Sequence, residues 1–406
     1  MRVSLLRRLA TLATTLGLTS LGLLGAATTP AQAAISDCPA GYFCAWKTDN
    51  GTGAMFKTNT NKATLGTWDN TFQSVVNRTS KYACLHDDPN YSRTGGVTSW
   101  APDPAGTEWG GSQRTVSSVS FVATERECWF PAYPEWYSST TPQAAGFGDL
   151  NADRKADVLV RDKAGRLWFL RGDGTGQLVG SGGWNAMNAL VRHGDFSGDG
   201  REDVIAREAS TGKLWLYPGA GTGSLGARKL MGNGGWNAMS RIVAYGDLSG
   251  DGRSDVLAVE KATGKLWLYP GTGSGTLGAR RLIGNGGWNA MNALVGAGDM
   301  NGDGRADLIV REASTGKLWL YPGRAGALGS RVLIGSGGWN VMDTFLGLGD
   351  VGSDGRADLV TITKSSYVGE SCRGVGCQLV YQGRGNGTLG SRVETANDWF
   401  GLNGFF

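Results

Sequence analysis

The chain has 406 residues, of which 18% are charged, 67 are glycine, 15 are tryptophan and only two are histidine, with a formal net charge of +4. At roughly 100–200 residues per domain, this length predicts two domains. Glycine is about twice its usual ~7% but has no G-X-Y period and is interleaved with Trp, Leu and Val, which excludes collagen and argues against disorder.

The first 33 residues read as an address. Arg7-Arg8 precedes an apolar run to about Ala27 and then Thr29-Pro30-Ala31-Gln32-Ala33, the basic, apolar and small-residue regions of a secretory signal; a retained membrane anchor is the rival reading. No later segment is apolar enough to span a bilayer, so the expectation is an extracellular, monomeric mature chain of residues 34–406. Without Arg2, Arg7 and Arg8 the net charge is +1, too little for a nucleic-acid partner. All six cysteines follow the signal, as disulfides in an exported protein require. Sequence separation favours Cys38 with Cys44 and Cys372 with Cys377, leaving Cys84 for Cys128, among 15 possible connectivities. Zinc is the rival, but no C-x-x-C pair is present.

Residues 34–128 carry short β-rich runs in two related units of about 40 residues, one from Cys44 to Asn77 and one from Cys84 to Phe121. Neither buries a core alone, so the two should pack together as a small sandwich of Greek-key type. Cys38-Pro39-Ala40-Gly41-Tyr42-Phe43-Cys44 and the segment from Cys84 to Tyr91 resemble the secreted actinobacterial peptidase-inhibitor family. That resemblance implies a βγ-crystallin-like fold and a secreted protease, a metalloproteinase, as partner, with Cys84-Leu85 matching the inhibitory loop. The family's short disulfide clamp on that loop is missing, because Cys128 is the remaining partner for Cys84. The crystallin-type calcium signature is incomplete at Asp69–Ser74 and at Gln113-Arg114. Residues 129–143, with Pro131, Pro134 and Pro142 around a Ser/Thr cluster, read as a semi-rigid linker on which Trp136 and Tyr137 are free to dock.

From residue 144 the chain repeats itself. Asp149, Asp195, Asp247, Asp299 and Asp350 open equivalent loops at intervals of 46, 52, 52 and 51 residues, each repeat holding about four strand-like runs. Four strands in about 50 residues, five times over, predicts an all-β chain ending in a five-bladed β-propeller, with an open solenoid as the rival. The last residues read like the start of a further copy, whose strand would complete the first blade and remove its open edge.

Each repeat carries Asp-x-(Asn/Ser)-x-Asp-Gly-Arg-x-Asp or a variant of it. The oxygens in question are Asp149, Asn151, Asp153 and Asp157; Asp195, Ser197, Asp199 and Asp203; Asp247, Ser249, Asp251 and Asp255; Asp299, Asn301, Asp303 and Asp307; and Asp350, Asp354 and Asp358. Alternate oxygens of a tight loop converge on a hard cation, and Ca2+ suits them better than Mg2+. The pattern resembles the FG-GAP/VCBS calcium loops of integrin-like propellers; Asx capping of turns is the other reading. Arg154 stands at the first loop's Gly position and Gly352 replaces a ligand in the fifth, so the middle three loops should be the best sites.

A second signature, Gly-Gly-Trp-Asn, places Trp184-Asn185, Trp236-Asn237, Trp288-Asn289 and Trp339-Asn340 in register. It is similar to the Gly-Gly-Trp segments of tachylectin-type lectins, which implies binding of amino sugars, on a glycan or cell surface, between blades. A Trp face stacks on sugar C–H groups and an amide serves hydroxyls, but blade packing equally demands large flat residues. The other Trp row (Trp168, Trp215, Trp267, Trp319) alternates with Leu as in a half-buried strand. His86 and His193 lie in different domains and build no triad, and the paired Glu208 and Glu312 read as scaffold, so no enzyme is expected. The sequence thus describes a non-enzymatic binding protein: a peptidase inhibitor borne on a calcium-loaded ring, or alternatively a lectin.

Overall fold

The computed structural model describes residues 35–107, 110–111, 115–130, 133–140, 148–370, 376–395, 399 and 402–406. The signal segment, Gln113-Arg114 and Cys372 lie outside these described residues. Every regular element is a strand or a short 3-10 turn.

The N-terminal domain is a sandwich. Met55–Thr58, Phe43–Trp46, Ser74–Asn77 and Gly110–Gly111 form one sheet in that order, and Val97–Trp100, Tyr82–His86 and Ser118–Val122 the other. The two units exchange edges: Gly110–Gly111 of the second pairs with Ser74 and Val75, and Lys62 of the first bridges Val119. This reciprocal lending is the Greek-key crossing expected of two half-cores that must share one interior. Phe43, Phe72, Val75, Ala83, Leu85 and Val119 fill that interior. The pairs Cys38–Cys44 and Cys84–Cys128 are disulfide-bonded. Cys377 is bonded as well, and its expected partner lies outside the described residues.

The repeats form five four-stranded antiparallel sheets among the described residues. The second runs outward from Met187–Val191 through Val204–Glu208 and Leu214–Tyr217 to Lys229–Gly232, and the third to fifth repeat the plan. In the first sheet the innermost strand comes from the other end of the chain: Leu402–Phe405 pairs with Val158–Asp162. Leu159 and Phe406 exchange N–H···O bonds of 2.9 and 2.8 Å, so both termini of the array lie in one sheet and the ring closes. Inner-strand residues Leu190, Val243, Val295, Phe345 and Phe405 surround an axial cavity of about 210 Å³. Sheets converge there, and a Cβ on Gly347 would lie 2.0 Å from the Gly296 carbonyl oxygen, which requires glycine.

The junctions are not all alike. At four of them a glycine N–H in the outer turn of one repeat donates to the acidic loop of the repeat before: Gly223 to Leu150 O, Gly275 to Phe196 O, Gly326 to Leu248 O and Gly387 to Met300 O. At the junction of the fifth and first sheets, residues 136–139 are interposed. Gly174 N–H donates to Trp136 O (2.9 Å), and Ser139 N–H donates to Val351 O (3.1 Å). Trp136 is 1% exposed, donates from Nε1 to Ala156 O, and packs with Val158, Leu170 and Leu348. The stretch read as a linker is therefore in part a strap of the ring, while Tyr137 stays 60% exposed. Arg166 of the first sheet joins the two domains through Glu127 (2.7 Å).

Candidate functional site

The acidic loops share one hydrogen-bond pattern. Asp195 Oδ1 accepts from Gly198 N (2.6 Å) and Asp199 N (3.2 Å), and its Oδ2 from Gly200 N (2.7 Å). Asp247, Asp299 and Asp350 do the same. In the first loop Asp149 accepts from Asp153 N and Arg154 N. Left-handed backbone at the fourth and sixth positions permits this curl: Gly302 and Gly304 have φ of 80° and 82°, whereas Ala152 (62°) and Arg154 (67°) hold it against their own Cβ atoms.

The last aspartate of each loop is buried. Asp203 Oδ2 accepts from Phe196 N and Ser197 N, and its Oδ1 accepts from Gly219 N across to the neighbouring strand (2.9 Å). Asp255, Asp307 and Asp358 repeat the last bond with Gly271, Gly323 and Gly383. In the first loop Asp157 Oδ1 is buried with no hydrogen-bond partner. The strap lies against this loop: Ser138 N–H donates to the carbonyl of Gly172, which is at the Gly219 position, and Ser138 Oγ–H donates to Ala156 O.

Burial first, and then the charges of Asp153 and Asp149, push the Asp157 carboxyl up to about 8 against the pull of Arg192; burial with the charges of Asp303 and Asp299 pushes the Asp307 carboxyl up to about 6. Mutually repelling carboxylates with an orphaned buried oxygen among them are a donor set that a hard cation relieves. Among the described residues no three His, Cys, Asp or Glu side chains are gathered as metal ligands as they stand. A cation held there would need the Asn and Ser oxygens and main-chain carbonyls as well. Capping of the loop by its own aspartates is fully formed without it.

In the Gly-Gly-Trp-Asn segments the second Gly, the Trp and the Asn each have a structural explanation. Gly183, Gly235, Gly287 and Gly338 sit at φ of 79–83° before a one-turn 3-10 helix starting at the Trp. Three residues before each of these, Gly180, Gly232, Gly284 and Gly335 make room for the ring: a Cβ there would lie 1.9–2.3 Å from the indole Nε1. Trp184, Trp236 and Trp288 are 8–9% exposed, and these rings and Trp339 lie 4.6–5.0 Å from Tyr217, Tyr269, Tyr321 and Tyr381. Asn185, Asn237, Asn289 and Asn340 donate to Lys163, Ala209, Lys261 and Ala313 carbonyls on the preceding sheet. In the other row, Arg228, Arg280 and Arg331 stack 3.9–4.1 Å over Trp215, Trp267 and Trp319.

The inhibitory-loop reading of Cys84 and Leu85 needs correction. Both are 0% exposed, because Tyr82–His86 is the central strand of its sheet and Leu85 faces the shared core. The following turn, residues 87–96, is the presented segment, with Pro89, Asn90, Arg93, Thr94 and Gly95 exposed. It is stiff. Asp88 Oδ2 accepts from Gly95 N (2.9 Å), Ser118 Oγ–H donates to Asp88 O, Arg93 donates to the Glu127 and Cys128 carbonyls, and the buried His86 ring bonds Ser92 O and Ser120 Oγ.

Residues 31–99 match the model of peptidase inhibitor family I36, and residues 195–258, 247–310 and 299–361 each match that of the FG-GAP-like repeat. A segment similar to the I36 family thus precedes an array similar to FG-GAP-like repeats. Proteins of curated function yield no match. Solved structures similar to it include a lectin of Agrocybe aegerita that recognises non-reducing terminal N-acetylglucosamine, at 16% identity over 90% of this chain and 92% of that one (TM-score 0.38). A Tc holotoxin pore of Photorhabdus luminescens matches at 14% identity over 84% and 17% (TM-score 0.33), and the Dos1 propeller at 10% over 57% and 53% (TM-score 0.27). The I36 match includes the 87–96 turn and ends in the strand Val97–Trp100, and the repeat matches cover the second to fifth acidic loops.

Proposed function

We propose that this is an exported, non-catalytic binding protein that inhibits a peptidase through its N-terminal domain, with the ring as a calcium-stabilised attachment body. The observation that carries the reading is the I36 match on a sandwich whose 87–96 turn is pre-organised. A loop already fixed in shape loses little entropy on docking in a protease cleft and resists being cut there. The disulfides suit an oxidising compartment, and among the described residues no helix is long and apolar enough to cross a membrane. Calcium would be held by the aspartate, asparagine and serine oxygens of the acidic loops, where it neutralises facing carboxylates and fixes the turn; its role is structural.

Lectin activity at the Gly-Gly-Trp-Asn segments is the weaker reading, because their rings are spent on tyrosines and their amides on carbonyls. Titrating the full chain against a panel of secreted metallopeptidases tests the proposal. Saturable inhibition, weakened by Asp88→Ala, is expected; no inhibition across the panel together with saturable binding to N-acetyl sugars would reverse it.

A further inference from the structure

Three junctions of the ring are spanned by an arginine in the same way. Arg161 Nη1 donates to Trp184 O (3.0 Å) and Met187 O (2.6 Å), Arg207 to Trp236 O (2.9 Å) and Met239 O (2.6 Å), and Arg311 to Trp339 O (2.8 Å) and Met342 O (2.6 Å). The Nε of each donates to an asparagine on the inner strand of its own sheet: Asn403, Asn188 and Asn292. Between the third and fourth sheets Val259 stands at the arginine position, and its ladder partner Arg241 reaches over to Met291 O instead (3.2 Å). Four junctions thus carry a guanidinium from within the chain.

The fifth does not. Ile362 stands at the arginine position, and Thr344, its ladder partner, at the Arg241 position. Trp399 and Leu402 take the places of the Trp and Met whose carbonyls accept elsewhere, and Asp343 takes the place of the asparagine. At this spot lies a cavity of about 350 Å³, lined by Asp343, Ile362, Lys364, Trp399, Leu402 and Phe405. Asp343 and Lys364 are exposed, so the cavity opens to solvent. Trp399 is 1% exposed and its indole Nε1 is buried without a hydrogen-bond partner. The Lys364 ammonium donates to Asn340 O (2.8 Å) on the far side and does not supply the missing group.

We propose that this seam cavity is a guanidinium site, filled by an arginine side chain of a partner protein. The chain's own four junctions show what chemistry the position accepts. Asp343 strengthens it, since a carboxylate pairs with a guanidinium fork more strongly than a neutral amide does, and a lysine ammonium cannot reproduce the fork. The Asp343 charge also reaches Arg311, which spans the junction of the fourth and fifth sheets.

The test follows the Trp399 indole N–H resonance of the full chain, assigned with Trp399→Phe, during titration with Nα-acetyl-arginine amide and, separately, its lysine counterpart. A saturable shift with the arginine probe alone is expected. Asp343→Lys, a surface change, should weaken it by about tenfold or more, as loss of a charge-assisted bond does. Ile362→Arg, which installs the residue found in the first, second and fourth sheets, should abolish it. No saturation, an equal response to the lysine probe, or binding unchanged in both variants would overturn the proposal. So would binding that appears only after Arg373→Ala, because the fifth repeat's own insertion, outside the described residues, would then be the occupant.

Discussion

Replacing Arg192 by alanine should destabilise the protein severely, and the structure says why. Its side chain is 1% exposed and forms a bidentate pair with the fully buried Glu202 (2.9 and 3.0 Å), while Nη1 donates to Asp157 O (2.6 Å) and to the Phe406 main-chain oxygen (3.4 Å). Burial opposes ionisation of Glu202, yet the Arg192 charge and bonds from His193 and Arg192 hold its carboxyl well below the usual carboxylate range. Removing the arginine strands that charge in a dry interior, at a cost of about 3–5 kcal/mol, or roughly 10 °C in melting temperature. The third repeat has Ala244 and Ser254 at these two positions, so the fold itself does not need the pair. Arg192→Ala/Glu202→Ser should therefore recover to within about 1–2 kcal/mol of the parent, and a double-mutant cycle should show coupling of about 2 kcal/mol or more. The pH dependence has a definite sign. A depressed carboxyl pKa contributes stability above its unfolded value of about 4.3 and loses it as pH falls toward the folded value. In Arg192→Ala the burial of Glu202 is no longer offset and raises its carboxyl above the unfolded value, so the deficit should be largest at pH 7 and shrink as pH falls toward 5 and below. Denaturant melts of the four proteins at several pH values read this directly. A single-mutant cost under about 1 kcal/mol, or additive singles, would refute the reasoning.

Gly284→Ala should cost about 1–3 kcal/mol in a thermal melt, because its Cβ would meet the Trp288 Nε1 at 2.1 Å and the ring has Tyr321 behind it; a neutral result would mean the indole moves freely. Trp136→Ala should cost about 3–5 kcal/mol and loosen the junction of the fifth and first sheets, seen as faster amide exchange at Gly174 and Ser139, whereas a linker residue would move neither. Chelation should lower the melting temperature of the full chain and excess calcium should restore it, with Asp247→Ala and Asp299→Ala blunting the response; identical melts would remove calcium from the account.

The ring was legible because two independent patterns, the acidic loop in all five repeats and the Leu-Trp-Leu-Tyr strand in the middle three, recur in step, and the terminal Trp399–Phe406 fragment declared its missing partner. The rest lay in contacts that no single repeat shows. Gly-Gly-Trp-Asn reads equally as platform or as packing until Gly284 is found against the indole and Tyr321 behind it. Ala83-Cys84-Leu85 is apolar without alternation, a pattern that suits a central strand buried on both faces. Residues 129–143 have linker composition, and of the two aromatics that hinted at docking, Trp136 and Tyr137, the structure buries only Trp136. The arginine ladder leaves only a faint trace in the sequence: an arginine after an apolar run and before an acid, in register at Arg161, Arg207 and Arg311, and absent where Ile362 stands.

Closure of the ring by the chain's last residues is the claim on which the strap, the seam cavity and the first acidic loop all rest. Hydrogen exchange at the Leu159 and Phe406 amides tests it most directly, since each donates to the other's oxygen. Protection of both amides comparable to that of Val204 and Leu216 in the second sheet is predicted. Exchange at the rate of an open strand edge, with those core amides still protected, would contradict it.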